Sequence, residues 1–504
     1  MSPHASKADT LSASIGTLLA MTLLQRIVGF VRQIVFCRWL GPEDLGQWDL
    51  MLGFLELAAP VAVLGIPGCY GRYVEHYRQK GELRSFLIWT GGVTALLALG
   101  TSAGVFVWAS TFSRIIFGTP EYQPLTRGVA LSLGLLVTYH YINVLLTSLR
   151  RSRLASRMEF VHSLAFAVGG VGLLALGMPN ASAVLSAYAI ACGLAVAIGA
   201  VTVWRGVSAA EGSQPFSAAG MWRKLIPFAV WVWGTNWLAN VFELADRFML
   251  IHFSGRSPGD ALILVGNYHT SRVFPLLLVS ISGMLATMLT PYLSHDWEAG
   301  RRELVSQRLS FALKSLAFAL VLGYALLLLA APMLFTHAMN GKYAAGLGIL
   351  HITVVYCTWL SLARVAQKYL WCCERVPWAV LGWTLGVLVN IGLNYCLVRR
   401  WGLEGVAWAT AAGNAVSLLA IVVACAYCGM RFDRGTLVFL ILPGALAFGG
   451  GAALAVVAVV AVGCLGRTFL LSPSDRAMLV QAAGQYLGQA ARYFAEQRTV
   501  RKTW

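Results

Sequence analysis

Long apolar runs follow one another along almost the whole of this 504-residue chain. Each has about the 20 residues that a helix needs to cross the hydrocarbon core of a bilayer. The pattern predicts an all-α, polytopic membrane protein of about twelve transmembrane helices. The runs lie at 11–38, 47–70, 86–110, 125–148, 158–178, 182–204, 222–253, 262–293, 309–335, 344–371, 378–398 and 404–428, and a further hydrophobic segment lies at 436–465.

The composition excludes an ordinary soluble protein, because 58% of the residues are hydrophobic and only 12% are charged. The net charge of +17 comes from Lys and Arg scattered through short loops. We therefore expect anionic membrane lipids as partners and no nucleic acid. The ten Cys lie mostly in or beside apolar runs without metal-ligand spacing, so we expect them to be packing residues and expect no metal and no cofactor.

The charges of the loops predict the orientation in the membrane. Seventeen Lys and Arg fall in the loops of one side and five in those of the other, which predicts a cytoplasmic N-terminus. The polar residues 1–10 then form a cytoplasmic tail. The first run carries two arginines and has no suitable cleavage site, so we expect it to be a retained helix and not a signal peptide.

The two halves of the chain contain an internal repeat, displaced by about 220 residues. The sequence Leu-Gly-Gln-Trp at 45–48 corresponds to Val-Gly-Asn-Tyr at 265–268, and the Gly118 region corresponds to the Gly341 region. Six helices per half predict two six-helix lobes, 11–210 and 221–430, that have the same orientation in the membrane. Such lobes would be related by an axis along the membrane normal, would enclose a central cavity, and would suit alternating access.

Polar side chains interrupt the apolar run at 222–253 along one side. Asn236, Asn240, Glu243 and Arg247 are spaced by four, three and four residues and therefore share a helical face. Charges are costly in a bilayer, so these groups and Asp246 should face protein or a wet cavity. Two interpretations stay open: the residues line a cavity, or they only hold helices together.

The same choice applies to the first helix of the first lobe, which carries Arg26 and Arg32. Glu56, His269, Arg272, Arg364, Gln367, Lys368, Asn390 and Asn394 also interrupt apolar runs. Near the C-terminus, residues 472–475 have the form of a capping box, followed by apolar residues at helical spacing. This pattern predicts an amphipathic helix over 472–498 that lies at the membrane interface.

The sequence Arg-Ile-Val-Gly-Phe-Val-Arg at 26–32, followed by Leu-Gly-Pro-Glu-Asp-Leu-Gly at 40–46, resembles the start of the oligosaccharide flippases of the polysaccharide transport family. These belong to the multidrug/oligosaccharidyl-lipid/polysaccharide exporter superfamily. The resemblance covers about residues 10–430 and implies a MATE-like flippase fold. Arg26 and Arg32 also resemble two arginines of the lipid II flippases, whereas the turn at 41–46 favours the oligosaccharide branch. The C-terminal region departs from common members, which have a fourteenth helix.

The resemblance implies a transporter in the bacterial cytoplasmic membrane. Its cargo would be an undecaprenyl-diphosphate-linked oligosaccharide for O-antigen, capsule or exopolysaccharide synthesis, with polysaccharide polymerase machinery as a further partner. Arginines offer bidentate donors for a diphosphate, and amides and aromatic rings suit sugar hydroxyls. The candidate substrate-binding residues are Arg26, Arg32, Asn236, Asn240, Arg247, Arg272, Trp48 and Tyr268, and the candidates for coupling to a proton or sodium gradient are Glu243, Asp246 and Asp49.

Three alternatives remain. One is a lipid II flippase, and another is a cation-coupled multidrug exporter, whose cavity should be acidic and apolar rather than arginine-bearing. The third is a membrane glycan transferase or ligase. That class needs a sizeable outer loop for its catalytic groups, and the loops here are short, so we expect no enzyme activity and name no catalytic residue.

Overall fold

The computed structural model describes residues 11–208, 217–466 and 470–478, and in this part of the chain the regular structure is helical throughout, without β-strands. The α-helices of the first half are α1 (Leu11–Trp39), α2 (Pro42–Ala62), α3 (Tyr70–Gln79), α4 (Leu83–Val107), α5 (Ala109–Phe117), α6 (Gln123–Ser148), α7 (Ser152–Ala175) and α8 (Ala181–Ser208). Those of the second half are α9 (Ala218–Phe253), α10 (Pro258–Glu298), α11 (Arg302–His337), α12 (Ala344–Gly348), α13 (Leu350–Cys372), α14 (Val376–Tyr427), α15 (Arg434–Ile441) and α16 (Gly450–Gly466).

The long helices follow the apolar runs of the sequence. Seven helices of the described part are both long and apolar enough to cross a membrane. Four others, α1, α2, α9 and α13, have at least 21 residues but are interrupted by polar and ionisable side chains. The long α14 bends at Gly402, whose φ of 54° is not helical, and this break separates the two apolar runs expected at 378–398 and 404–428.

The apolar run expected at 47–70 is shorter as a helix. It ends at Ala62 because Leu64 and Gly65 have positive φ angles of 48° and 71°, and a 3₁₀ turn then leads into α3. A Cβ at position 65 would lie 2.4 Å from the carbonyl oxygen of Ala229. The glycine therefore permits both the turn and the close packing of α9 against it.

The segment at 436–465 is not one continuous helix. It consists of α15, a 3₁₀ segment at Leu442–Phe448 and α16, with Gly449 at a φ of 94° before α16. The predicted capping box is confirmed: Ser472 Oγ accepts from the Asp475 amide at 3.2 Å, and the Ser472 amide donates to Asp475 Oδ2 at 2.9 Å. The predicted helix beyond residue 478 and the N-terminal tail at 1–10 lie outside the described residues.

The chain packs as two compact units that do not follow the chain order. Unit 1 comprises residues 1–277, 332–349 and 391–409, and unit 2 comprises residues 278–331, 350–390 and 410–504. Unit 1 thus contains α1 to α9 together with the first half of α10. The predicted lobes, 11–210 and 221–430, and the cavity between them stay predictions.

Aromatic packing forms one core of unit 1. Phe36, Trp48 and Tyr188 surround Phe166, with ring centroids 5.7, 5.5 and 5.2 Å from its own. The rings of Phe36 and Tyr188 meet Phe166 edge to face, a geometry that adds to the free energy gained by burial. Elsewhere in unit 1, α4 has an apolar and exposed face, on which Leu96 and Leu99 are 71% and 70% exposed. Exposed leucines suit helices surrounded by lipid.

Unit 2 contains a buried cation. Lys314 on α11 is 1% exposed and donates to Asp433 at 2.5 Å and to Asp475 at 2.6 Å. Asp433 caps α15, and Asp475 belongs to the capping box of the C-terminal helix. One lysine therefore joins α11 to the starts of two later helices.

Candidate functional site

Two glycines allow α2 and α10 to cross in backbone contact within unit 1. A Cβ on Gly46 would lie 2.0 Å from the Leu262 carbonyl oxygen, and one on Gly266 would lie 2.0 Å from that of Pro42. No other residue type fits this crossing. It brings the polar residues one turn further along each helix close together.

Asp49 on α2 lies at the centre of those residues and is 1% exposed. Its Oδ2 accepts from Arg247 Nε on α9 at 2.6 Å, and its Oδ1 lies 2.7 Å from His269 Nδ1 on α10. Arg247 and His269 are 9% and 8% exposed. The pair of Asp49 and Arg247 thus keeps two charges buried among apolar helices, as buried ion pairs do when well oriented.

A second network lies beside the first. Asp246, adjacent to Arg247 on α9, accepts from the hydroxyl of Tyr268 at 2.5 Å and from the amide of Asn394 at 2.9 Å. The guanidinium of Arg272 lies over the ring of Tyr268, 5.3 Å from its centroid. Four of the ionisable candidates from the sequence, Asp49, Asp246, Arg247 and Arg272, are therefore brought together here.

The arginines of α1 have different surroundings. The guanidinium carbon of Arg32 lies 4.1 Å from the ring centroid of Phe166, and its Nε has no hydrogen-bond partner in the described part of the chain. Phe166 also packs against Trp48, the neighbour of Asp49. The rings of Phe166 and Trp48 thus connect Arg32 to the neighbourhood of Asp49. Arg26, by contrast, is exposed.

The remaining candidates are placed as follows. Asn240 donates to the carbonyl of Glu56 at 3.2 Å. Trp48 and Tyr268 are each 1% exposed, so neither ring offers a face to a ligand in this conformation. Asn236 and Glu243 lie on α9, but their side chains are outside the described residues.

Sequence reasoning did not select His269 and Asn394 for the site, although both interrupt apolar runs. One signal for His269 was available: it lies 220 residues after Asp49, the displacement of the internal repeat. Asn394 had no such signal. In the described part of the chain, no group of three or more His, Cys, Asp or Glu side chains is arranged to hold a metal ion.

The family model described as "Polysaccharide biosynthesis protein" matches residues 11–297, more than half of the chain. The chain belongs to this family. The family resemblance expected from residues 26–32 and 40–46 is thereby confirmed. A curated relative, the "Uncharacterized membrane protein YabM" of Bacillus subtilis (strain 168), is 21% identical over 421 residues, which are 79% of this chain and 76% of that protein.

Solved structures of two kinds share the fold. "Lipid II flippase MurJ, inward closed conformation" matches with a TM-score of 0.68 and 13% identity, over 94% of this chain and 99% of that one. An inward-facing "multidrug resistance MATE family transporter of the MOP superfamily" matches with a TM-score of 0.62 and 12% identity, over 81% and 94%. These similarities confirm the predicted all-α, multi-pass membrane fold.

Proposed function

We propose that this protein flips an undecaprenyl-diphosphate-linked oligosaccharide from the inner to the outer leaflet of the bacterial cytoplasmic membrane. The observation that carries the proposal is the cluster of Asp49, Asp246, Arg247 and Arg272 in unit 1, buried among apolar helices. Each charged side chain near the bilayer centre costs roughly 2.5 to 3.5 kcal/mol on insertion scales. Such a cost is typically accepted where the charges serve a substrate or ion pathway.

The arginines support an anionic cargo. The Nε of Arg32 has no hydrogen-bond partner in the described residues, and its guanidinium lies over the ring of Phe166. A diphosphate accepts parallel hydrogen bonds from such donors. Arg26 is one turn and a half before it on the same helix and is exposed. We therefore assign the first contact with the diphosphate to Arg26 and Arg32, and a later one to Arg247 and Arg272.

The family description supports a role in polysaccharide synthesis, in which a sugar is carried on a lipid across the membrane. We assign contacts with the sugar to Asn236 and Asn240, and coupling to a proton or sodium gradient to Asp49, Asp246 or Glu243. A cytoplasmic N-terminus, contacts with anionic lipids and docking of a polysaccharide polymerase complete the proposal.

A lipid II flippase is the second candidate. It is favoured by the fold similarity to "Lipid II flippase MurJ", and it would use the same arginines. A multidrug exporter fits less well, because arginines are poor partners for cationic drugs.

Substitution of the α1 arginines tests the proposal. We expect Arg26→Ala and Arg32→Ala each to lose most glycan export, and the double variant to lose all of it, with normal amounts of folded protein in the membrane. Arg127→Ala is the matched control, since this exposed arginine also lies over an aromatic ring, 5.8 Å from the centroid of Phe106. Full export by the double variant would overturn the proposal.

Reconstitution distinguishes the two candidate cargoes. The purified protein is placed in liposomes with labelled undecaprenyl-diphosphate oligosaccharide in one sample and labelled lipid II in another. Flipping of the first and not of the second supports the proposed cargo. The reverse result identifies a lipid II flippase.

A further inference from the structure

An apolar cavity of about 440 Å³ lies within unit 1, between the end of α2, the middle of α4 and the first turns of α9. It begins beside the positive-φ turn at Leu64 and Gly65 that ends α2. Every side chain that lines it is Ala, Val, Leu, Ile or Trp. A cavity of this kind offers water too few polar partners to hold it. Its occupant should therefore be apolar.

The cavity has a buried wall and an open side. Leu225 and Ala229 on α9 form part of the wall and are 1% and 4% exposed. Leu64, Ile226 and Val230 also line the cavity but are 50%, 53% and 55% exposed. We call this feature the α9 groove. In a bilayer, the open side of an apolar groove on a transmembrane helix meets the hydrocarbon chains of lipids.

The length of the α9 groove fits one acyl chain. Its wall on α9 extends from Trp222 to Trp233, which is about 16 Å at the helical rise of 1.5 Å per residue. The hydrocarbon core of a bilayer is about 30 Å thick, so one leaflet measures about 15 Å. A phospholipid chain spans one leaflet, whereas an undecaprenyl chain is much longer. The groove therefore fits a membrane phospholipid better than the tail of the proposed cargo.

A cation lies at one end of the open side. Arg223, Ile226 and Val230 are spaced by three and four residues and therefore share a face of α9. The side chain of Arg223 is exposed. Its neighbour Trp222 supports a place at the headgroup level, where tryptophans are enriched. The predicted orientation puts this end of α9 in the cytoplasmic leaflet, whose surface is negatively charged.

We propose that the α9 groove binds an anionic phospholipid, with one acyl chain along α9 and the phosphate at Arg223. A guanidinium suits this headgroup because it donates two parallel hydrogen bonds to phosphate oxygens. Arg247 of the Asp49 cluster is 24 residues further along α9, which is about 36 Å of helix. The lipid site is thus separate from that cluster, and the inference does not depend on the cargo.

Lipid binding to the purified full-length protein in detergent tests the headgroup contact. Native mass spectrometry compares phosphatidylglycerol with phosphatidylcholine that has the same acyl chains but no net charge. We expect about fivefold tighter binding of phosphatidylglycerol, which corresponds to the roughly 1 kcal/mol that one arginine contributes at an anionic membrane surface. Arg223→Gln should lose this preference, and Arg223→Lys should keep most of it. Arg157→Gln, at an exposed arginine of α7, is the control and should keep all of it.

Filling the groove tests the position of the acyl chain. Val93→Trp places a large side chain in the groove from α4 and should weaken the binding of both phospholipids. Leu99→Trp, at a 70% exposed position of α4 outside the groove, should leave binding unchanged. Fluorescence gives a measurement on the native protein. Phosphatidylglycerol with brominated chains should quench tryptophan emission more than brominated phosphatidylcholine does, and Trp222→Phe should reduce this difference.

The inference would be overturned by equal affinity of the native protein for the two phospholipids, by a preference that persists in Arg223→Gln, or by native binding in a folded Val93→Trp variant. Displacement of phosphatidylglycerol by an equimolar amount of undecaprenyl diphosphate would also overturn it, because the groove would then hold the tail of the cargo. Each of these results leaves the flippase proposal intact, since that proposal is tested by export and by flipping in liposomes.

Discussion

Gly46 and Gly266 pack against each other reciprocally, each against the backbone four residues before the other. A Cβ on Gly46 would meet the Leu262 carbonyl, and a Cβ on Gly266 would meet that of Pro42, both at 2.0 Å. The two glycines are 220 residues apart, and so are Asp49 and His269, which also contact each other. Contacts between equivalent positions are those expected beside a pseudo-twofold axis.

This crossing predicts a strong effect of adding one methyl group. Gly46→Ala should force α2 and α10 apart, because the obstacle is a backbone carbonyl that cannot rotate away. We expect a destabilisation at or above the upper end of the roughly 1 to 3 kcal/mol that overpacking costs. The measurement is thermal unfolding in detergent, together with the amount of protein in the membrane.

Gly92→Ala provides the control for that experiment. Gly92 lies inside α4, and a Cβ there would have no neighbour within 4 Å. It should leave stability unchanged or raise it by roughly 0.5 to 1 kcal/mol, because alanine favours a helix. Equal stability of Gly46→Ala and the native protein would show that the two helices do not cross at these glycines.

Removal of the Asp49 carboxylate should leave Arg247 buried without its counter-charge. We expect Asp49→Asn to destabilise the protein by about 3 to 5 kcal/mol and to abolish export. The double variant Asp49→Leu, Arg247→Met should regain much of the stability, since a buried ion pair is often replaceable by apolar residues. Export should not return, and this separates the functional role of the pair from its structural one.

An exposed ion pair serves as the comparison. Arg431 and Glu303 lie 3.7 Å apart with side chains 82% and 69% exposed. Glu303→Gln should change the free energy of unfolding by no more than about 1 kcal/mol. If Asp49→Asn had as small an effect, the pair of Asp49 and Arg247 would not be buried in the membrane-embedded protein.

The sequence predicted most of the helices but few of the contacts. Hydropathy reveals helices because each span must satisfy its backbone within itself. The break at Gly402 separates two apolar runs that were visible beforehand. The short helices α3 and α5 escaped prediction, because amphipathic segments of ten and nine residues leave no span-length signal.

The site was predicted only in part, because the sequence shows which residues are charged but not which residues they contact. Intramembrane charges stand out in an apolar sequence, so Asp246, Arg247 and Arg272 could be selected, but their partners depend on packing. Lys314 was missed entirely. It is a single cation in an apolar run, and its partners Asp433 and Asp475 are 119 and 161 residues away. No local pattern records such a contact.

Asp433 gives the Lys314 contact a pH dependence. Burial raises the pKa of its carboxyl, but hydrogen bonds from Lys314 and Thr436 outweigh burial and hold the pKa below its usual value. A carboxyl whose pKa is lower in the folded state contributes stability above its unfolded pKa of about 3.9, and this contribution is lost as the pH falls through the folded pKa. Acid should therefore weaken the attachment of α15 to α11.

Lys314→Met should have a larger effect than acid, because Asp475, 1% exposed, would remain buried without its cation. We expect a loss of about 3 to 5 kcal/mol at neutral pH, measured by thermal unfolding in detergent.

Asp433→Asn should instead make stability less sensitive to pH below about 4, near the unfolded pKa of an aspartate. Asp260→Asn, at an exposed carboxyl that accepts from Ser257 at 2.7 Å, is the control and should keep the native acid sensitivity. If Asp433→Asn lost stability in acid as steeply as the native protein does, the carboxyl of Asp433 would not be the group whose protonation weakens the native protein.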